Sequence, residues 1–374
     1  MFNRNNLSIL PLASRQSKSY IREIAACPHE NPPWLDEQTR ALIQKMAKAI
    51  LKAKEKKASI ILAYGAHLVK NGLGTIVREM IQEGFITHLA TNGAGTIHDW
   101  EFAFQGKSEE DVRKYIHAGQ FGIWQETGFY INLAILLSAV QRQGYGESIG
   151  RLISQDALFV PTYEEIREKI CQNMDNPDFF KTGWMNLYEM LGHSQLQSGN
   201  IVVNHPFKEY SICEAAFRHS IPLTVHPGFG YDIIYSHPVC SGAAIGIAAE
   251  VDFLRFVEGV SHLEGGVYLS VGSSVMSPMI LEKGLSMARN VELQKGKNIK
   301  NFFLAINDIQ EGSWDWSKGT EPAKKDPAYY LRFCKSFARM ECSEMEYVCC
   351  DNRAFLWNLY HELKSCRAKS LSEK

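Results

Sequence analysis

The sequence predicts a doubly wound α/β fold with a mostly parallel sheet, a helical insertion and an N-terminal arm. Short apolar runs bounded by glycine or polar residues recur along the chain, which is typical of strands buried on both faces of a parallel sheet. The segments between most of these runs are long enough for helices that connect parallel strands. One long helical stretch interrupts the strand pattern, so we expect the insertion in the middle of the chain.

The N-terminal part predicts an arm followed by a helix. Residues 1–35 are polar and contain a Pro-Pro step, which is typical of a segment outside the sheet. We expect residues 36–374 to form a single domain. A helix is predicted from Asp36 to Lys56, because apolar residues recur at helical spacing: Leu42, Met46, Ile50 and Leu51.

The next segment has the pattern of a strand–helix–strand unit. SIILAYG at 59–65 predicts a buried strand, and residues 74–84 predict a helix that stops at Gly84. ITHLAT at 86–91 predicts the second strand. Strand, helix and strand within about 35 residues form a βαβ unit, in which the two strands are parallel and the crossover is almost always right-handed. The expected sheet is therefore of the Rossmann-like type.

The middle of the chain is expected to be helical before the strand pattern resumes. Residues 107–200 form the predicted insertion, in which Ser108 and the three acids after it predict a helix N-terminus. Residues 125–143 predict a long amphipathic helix. Five further strands are predicted: IVVN at 201–204, IPLTVH at 221–226, GVYLSVG at 266–272, FFLAIN at 302–307 and MEYVCCD at 345–351.

Charge and cysteine content limit the classes of partner. With 40 Lys plus Arg and 41 Asp plus Glu, the formal net charge is −1, which does not favour a broad nucleic-acid surface. No apolar run approaches the roughly 20 residues that a membrane helix needs. The 9 cysteines include no CxxC pair and are typical of free thiols. We expect a cytoplasmic protein without a nucleic-acid partner, a membrane segment or a metal.

Glycine and small polar residues follow most of the predicted strands. In open parallel sheets, ligands bind beyond the carboxyl ends of the strands. Glycine lets backbone N–H groups approach a pyrophosphate closely, and hydroxyls and amides add donors. The turns are Gly65-Ala66-His67, Thr91 to Asp99, Pro227 to Asp232, Gly272-Ser273-Ser274 and Asp308 to Gly312. Their repetition predicts a nucleotide site at this edge of the sheet.

Several of these residues admit two interpretations. TNGAG supplies the first two glycines of the GxGxxG motif but has His98 in place of the third, so an ordinary strand-to-helix turn fits equally. His98 and Asp99 form either an orienting pair for acid–base chemistry or a histidine beside a first-turn acid. His226 and His237 are lone histidines, which more often have a structural role than a catalytic one. Lys335, within RFCKSF, is either a buried nucleophilic amine or a strand-edge lysine with its ammonium in water.

Four stretches of the chain together resemble one protein family. They are ILAYGAHLVKNGLGTIVREMIQEGFITHLATNGAGTIHDW, IPLTVHPGFGYDIIYSHP, EGGVYLSVGSSVMSPMILEKGLSMARN and FFLAINDIQEGSWDWSKG. In this order, across about 60–335, they resemble the deoxyhypusine synthases. Residues 140–200 and the N-terminal arm carry no such resemblance.

The resemblance implies an NAD-dependent transferase that moves an aminobutyl group from a polyamine such as spermidine. The acceptor would be a protein lysine or a free diamine, and the protein would be a homotetramer. The implied NAD-binding residues are Thr91, Asn92, Gly93, Gly95, His98, Gly272, Ser273, Ser274, Asn307 and Ser317. The implied polyamine-binding residues are Asp232, Glu311, Asp315 and Phe333, and the implied catalytic lysine is Lys335.

The sequence also departs from that family. Ser277 and Pro278 stand where the family has a lysine and a histidine of the amine site, and His98 stands where it has an acid. Two alternatives therefore remain beside the transferase. One is an NAD-dependent enzyme of the same fold with a different, non-polyamine substrate, and the other is a non-catalytic nucleotide-binding protein.

Overall fold

The computed structural model describes residues 2–193, 196–311, 315 and 320–372. The strands are β1 Ser19–Tyr20, β2 Ile60–Tyr64, β3 His88–Thr91, β4 Lys107–Ser108, β5 Ala157–Val160, β6 Gly199–Val202, β7 Leu223–Val225, β8 Val267–Val271, β9 Phe303–Asp308 and β10 Glu344–Cys349. The helices are α1 Ile21–Ile24, α2 Glu37–Glu55, α3 Ala66–Lys70, α4 Gly74–Gln82, α5 Gly93–Gln105, α6 Val112–His117, α7 Gln125–Ala139, α8 Tyr145–Gln155, α9 Tyr163–Gln172, α10 Lys181–His193, α11 Ile212–Arg218, α12 Gly242–Ser261, α13 Met276–Gln294, α14 Arg332–Ala338 and α15 Asn352–Ser372.

Six of these strands form one parallel sheet in the order β10-β9-β8-β2-β3-β7. The first of them along the chain, β2, lies in the interior of the sheet. The chain adds β3 and β7 on one side and then returns to add β8, β9 and β10 on the other. This is the strand order of the Rossmann fold, and it reverses direction between β2 and β8. The predicted doubly wound, Rossmann-like fold is confirmed.

Alternate residues of the central strands enter two hydrophobic cores. Ile60, Leu62 and Tyr64 of β2 pack into the larger core, with apolar residues of α2, α4 and α15. Ile61 and Ala63 of the same strand pack into the smaller core, with residues of α12, α13 and α14. Successive side chains of a strand point to opposite faces, so a strand that is apolar throughout must be covered on both. This is why the short apolar runs identified the sheet.

The N-terminal residues pack against the sheet domain. Leu12, Ile21 and Ala26 are buried in the larger core, and β1 pairs antiparallel with β4. The helix predicted to begin near Asp36 is confirmed as α2. The Asp36 carboxylate accepts the Thr39 N–H at 2.9 Å and caps the helix.

Two predictions for the inserted segment and the residues directly after it are wrong. The segment IVVN does not join the central sheet, because β6 pairs antiparallel with β5 in a separate two-stranded sheet. Ser108 does not cap a helix, since it lies in β4 and its hydroxyl donates to Glu101. The cap of α6 is Asp111, whose carboxylate accepts the Lys114 N–H at 2.9 Å. Local sequence identified a cap nearby but not which polar side chain supplies it.

Two further predictions of secondary structure need correction. The helix predicted over 125–143 ends at Ala139, and its residues are buried on every side rather than on one stripe. It packs between α8 and α12 within the domain, which explains its apolar circumference. The segment RFCKSF forms α14, so Lys335 lies on a helix and not on a strand edge.

In the described ranges, no helix combines the length and apolar character that a bilayer crossing requires. The same residues contain no group of three His, Cys, Asp or Glu side chains arranged to hold a metal ion.

Asp252 is a buried carboxyl of α12 that joins three elements. Its Oδ2 accepts the N–H of Val225 at 2.9 Å and the N–H of Gly146 at 3.1 Å, at the end of β7 and the start of α8. Its Oδ1 has no hydrogen-bond partner among the described residues. Burial raises the pKa of Asp252 from 3.8 to about 7.

We expect the contribution of Asp252 to the free energy of unfolding to fall as the pH rises from about 4 to about 7, because folded Asp252 keeps a proton that the unfolded chain has lost. The pKa difference corresponds to at most about 4 kcal/mol. Asp252→Asn should remove this part of the pH dependence and stabilise the protein at pH 8. Urea unfolding at several pH values measures it, with Glu258→Gln on the exposed side of α12 as the control. An unchanged pH profile in Asp252→Asn would contradict the assignment.

Candidate functional site

A cleft of 530 Å³ opens at the carboxyl ends of β2, β3, β7 and β8, and we call it the main cleft. It therefore lies at the point where the strand order reverses, which is where doubly wound proteins bind ligands. Its walls are the turns after these four strands and the first residues of α13: Gly65, Ala66, His67, Asn92, Ala94, His226, Pro227, Gly228, Tyr231, Asp232, Gly272, Ser273, Ser274, Val275, Met276, Met279 and Ile280.

Two glycines bring the turns after β2 and β8 together. The Gly65 N–H donates to the Val271 carbonyl at 3.1 Å, and the Gly272 N–H donates to the Asn307 carbonyl at 2.9 Å. A Cβ on Gly65 would lie 2.1 Å from the Gly272 carbonyl oxygen, so no larger residue fits there. Gly272 itself has φ +57°, which favours glycine. Backbone rather than side chains forms the base of the main cleft.

The N-termini of two long helices face the main cleft. Helix α13 begins beside it at Met276, and Ser273 Oγ accepts the Ser277 N–H at 3.2 Å. Helix α5 begins at Gly93, where Asn92 Oδ1 accepts the Gly95 N–H at 2.9 Å. The free N–H groups and the positive end of a helix dipole favour anions. No Lys or Arg occurs among the described residues of the cleft wall, so an anion in the main cleft would meet these backbone groups rather than a basic side chain.

Asp232 lies over the first turn of α5. A Cβ on Gly93 would be 2.4 Å from Asp232 Oδ2, so the carboxyl fills the space that glycine leaves. The Tyr235 hydroxyl donates to Asp232 Oδ2 at 3.3 Å. Burial raises the pKa of Asp232 to about 6. The protein's own acid thus takes the position at α5, which leaves α13 as the helix N-terminus open to a ligand anion.

A second cleft of 420 Å³ continues along the ends of β8, β9 and β10, and we call it the side cleft. It shares His67, Gly272 and Ser274 with the main cleft. Asn307 lines it, and Asn307 Nδ2 donates to the carbonyls of Val348 at 3.2 Å and Cys350 at 2.9 Å. These two bonds fix the amide orientation and leave Oδ1 buried without a partner in the described part of the chain. Such an acceptor suits a hydroxyl or amino group of a ligand.

A third space, the inner cavity, has a volume of 200 Å³ and adjoins the main cleft at Ala94, Tyr231 and Asp232. Glu110 also lines it, and its carboxylate accepts the Trp124 indole N–H at 3.0 Å and the Gly122 N–H at 3.2 Å. Burial raises the pKa of Glu110. Neither Asp232 nor Glu110 forms an ion pair with a described residue, whereas Lys70, also in the wall, pairs with Glu109 at 2.5 Å. The inner cavity therefore has carboxylates available for a cation.

The structure brings several of the predicted residues to these spaces. Asn92, Gly272, Ser273, Ser274 and Asp232 line the main cleft. Asn307 lines the side cleft and His98 the inner cavity. Gly93 and Gly95 lie in the first turn of α5. Thr91 is buried behind Gly95 and donates to the Tyr64 carbonyl at 3.0 Å, so its hydroxyl does not reach the cleft wall.

Other predicted residues are not brought there. Lys335 has its ammonium 3.6 Å from the centre of the Tyr329 ring and lines none of the three spaces in the described residues. Glu311 and Asp315 are exposed. Ser317 and the side chain of Phe333 lie outside the described residues.

The interpretation of His98 and Asp99 as an orienting pair is wrong. The Asp99 carboxylate instead accepts from the Ser211 hydroxyl at 2.5 Å and from the Ile212 N–H at 2.8 Å, at the start of α11. Burial raises the pKa of Asp99. His98 points away from it and lies 2.7 Å from Ser108 Oγ.

Sequence reasoning gave no individual role to two kinds of residue that line the site. Gly65 and His67 lie in the turn after the first strand, and this position, which placed the turn at the predicted nucleotide site, was the signal that could have assigned each of them a role. Arg15, Glu101 and Glu110 line the inner cavity. Nothing in the sequence around these three residues indicated a site, because the residues to which they hydrogen-bond lie far away in sequence or on another element.

Comparison with known proteins leaves the family open. No protein-family model and no curated protein matches the chain. A protein from Methanococcus maripaludis assigned to the LOR/SDH group is 14% identical, with 91% of this chain and 74% of that chain covered and a TM-score of 0.45. AgrE in complex with ornithine and NAD+ is 13% identical, with 90% of this chain but only 34% of AgrE covered and a TM-score of 0.44.

A third solved structure has a length similar to that of this chain. It is a protein from Entamoeba histolytica assigned as a deoxyhypusine synthase, 11% identical, with 88% of this chain and 90% of that chain covered and a TM-score of 0.42. Likeness at this level establishes neither a family nor an activity. The Rossmann-like assignment rests on the strand order of the chain itself.

Gly65→Ala should lower the free energy of unfolding by about 1–3 kcal/mol, because its Cβ would force the turns after β2 and β8 apart. Gly246→Ala is the matched control, since a Cβ there meets nothing within 4 Å on helix α12. The control should instead gain up to about 1 kcal/mol from helix propensity. Urea unfolding compares the two variants. Equal stability changes would contradict the close approach of the two turns.

Proposed function

We propose that this protein is an NAD-dependent enzyme that acts on an amine. One observation carries the proposal: clefts built from backbone at the reversal of strand order adjoin a cavity with two unpaired carboxyl groups. The first feature suits a dinucleotide and the second suits a cation. Their contact at Asp232 would bring the two ligands together.

The residues of the main and side clefts fit NAD. The Gly272-Ser273-Ser274 turn and the start of α13 offer N–H and hydroxyl donors to a pyrophosphate without requiring a basic side chain. The unpartnered Asn307 Oδ1 would accept a hydroxyl or amino hydrogen of the nucleoside part. NAD, when bound, supplies the hydride acceptor. The chain supplies position and charge.

The cation site would consist of Asp232 and Glu110. Both carboxyl groups line the inner cavity and lack an ion-pair partner among the described residues. Burial raises the pKa of Asp232 and that of Glu110, although the charge of Arg15 acts in the opposite direction at Glu110. A bound ammonium would offset the hydration that both carboxylates have lost. The overall net charge of −1 gives little long-range attraction, so these local groups would provide it.

The finer proposal is that the amine is a polyamine such as spermidine, and that its aminobutyl group passes to an amine acceptor. It is supported by the four segments that resemble the deoxyhypusine synthases and by Asp232, which lies at the cation site. Lys335 would capture the imine in this scheme. The acceptor would be a protein lysine or a free diamine.

The position of Lys335 favours a second candidate, the NAD-dependent oxidation of an amine without transfer. Its ammonium stacks on Tyr329 and lines none of the spaces described above. In this candidate, Lys335→Ala would leave the formation of NADH intact. In the transferase, the same change would abolish aminobutyl transfer.

Calorimetry should detect NAD binding to the purified protein, and spermidine with NAD should release 1,3-diaminopropane, which chromatography measures. NADH formation without 1,3-diaminopropane would select amine oxidation without transfer. Absence of NAD binding would refute both candidates and favour a protein without this chemistry. Lys335→Arg, which keeps the charge but is not an amine nucleophile, serves as the control for the Lys335→Ala variant.

The affinity for an amine should fall as the pH falls through about 6, because protonated Asp232 no longer attracts an ammonium. Asp232→Asn should weaken binding by about tenfold or more at pH 7.5 and flatten this pH dependence. Calorimetric titration with spermidine measures both effects. Glu258→Gln neutralises an exposed acid on α12 and should leave affinity unchanged. Equal effects of the two variants would exclude Asp232 from the cation site.

A further inference from the structure

The inner cavity contains a histidine whose hydrogen bonds identify its tautomer. His98 Nδ1 lies 2.7 Å from Ser108 Oγ, and the Ser108 hydroxyl donates to Glu101 Oε2 at 2.5 Å. A carboxylate only accepts hydrogen bonds, so the single hydroxyl proton of Ser108 is directed to Glu101. Ser108 Oγ must then accept from His98, and the ring proton is on Nδ1. The other nitrogen, Nε2, therefore has a lone pair.

Glu101 is held as a carboxylate by the N-terminal arm. Arg15 NH1 and NH2 donate to its two oxygens at 2.8 and 2.7 Å, and the Thr127 hydroxyl donates to Oε1 at 2.8 Å. Burial opposes ionisation, but the Arg15 guanidinium outweighs it and the pKa of Glu101 is lowered. The whole chain of bonds is fixed by groups that have no other role in the proposed chemistry.

The lone pair of His98 is available to a ligand. His98 lines the inner cavity with Asp232 and Glu110, and among the described residues the hydrogen bond of its side chain is the one between Nδ1 and Ser108. Burial lowers the pKa of His98 to about 4, so the ring remains neutral at pH 7. Among the nearby charged groups, Glu101 raises this pKa, whereas Lys70, Arg15 and His67 lower it. A neutral acceptor does not repel a cation.

We propose that the inner cavity binds a primary ammonium group, and that His98 selects it by accepting one of its N–H bonds at Nε2. Asp232 and Glu110 would balance the charge. Ser108, Glu101 and Arg15 are positioning residues that keep the lone pair directed into the cavity. A quaternary ammonium has the same charge but no N–H, so it cannot form this bond. The inference rests on the proposed function only in taking the ligand to be an amine, and it requires neither NAD nor turnover.

The direct test compares butylamine with butyltrimethylammonium by calorimetry on the full chain without NAD. The wild-type protein should bind butylamine about tenfold or more tightly. His98→Phe removes the acceptor and should abolish the preference, whereas His98→Gln keeps an acceptor and should retain part of it. His117→Gln, at an exposed histidine of α6, is the control and should change nothing. The wild-type comparison needs no variant, so it holds even if His98→Phe fails to fold.

The second readout is the tautomer itself, which a general effect on packing would not determine. Nitrogen NMR of protein labelled at its 12 histidines, with His98 assigned by its loss in His98→Gln, should show the proton on Nδ1. Ser108→Ala should shift the His98 signals toward a mixture of tautomers and reduce the preference for butylamine. Binding of neither amine, equal affinity for both, or a wild-type ring protonated on Nε2 would each overturn the inference. If NAD does not bind but the preference persists, the proposed function fails and this inference stands.

Discussion

The close approach of two backbone turns determines the character of the whole site. A Cβ on Gly65 would lie 2.1 Å from the Gly272 carbonyl oxygen, at the point where the chain reverses its direction across the sheet. No side chain occupies this position, so the backbone of the turn after β8 and the start of helix α13 border the main cleft. Backbone donors bind anions without the desolvation cost of a buried lysine or arginine. The described wall of the main cleft accordingly contains no Lys or Arg.

The Asp232 carboxyl group lies between the main cleft and the inner cavity. Asp232 fills the space over Gly93 at the start of α5, and so prevents a second ligand anion from binding there. On its other side it faces the inner cavity with Glu110 and His98. The main cleft and the inner cavity, for which we propose an anion and a cation as ligands, therefore meet at Asp232. The N-terminal arm belongs to this arrangement, because Arg15 fixes Glu101 and through it the orientation of His98.

Sequence patterns predicted the sheet well because strands buried on both faces need apolar residues throughout, as in Ile60–Tyr64 and Val267–Val271. They failed for Gly199–Val202, which pairs in a small separate sheet. Each of Asn92, Asp232 and Gly272 follows a predicted strand, and this position correctly predicted that they line one cleft.

The inner cavity could not be predicted in this way. Its hydrogen bonds join Arg15 to Glu101 and Glu110 to Trp124, which are pairings that depend on tertiary packing. Adjacency in sequence suggested Asp99 as the partner of His98, but on α5 the neighbouring residue points to a different side of the helix.

The most direct measurement is a crystal structure of the protein soaked with NAD and spermidine. We expect the pyrophosphate at the Gly272-Ser273-Ser274 turn and the start of α13, with an ammonium between Asp232 and Glu110 and one of its N–H groups directed to His98 Nε2. A dinucleotide bound elsewhere, or an inner cavity that takes up no amine while NAD is bound, would contradict this expectation.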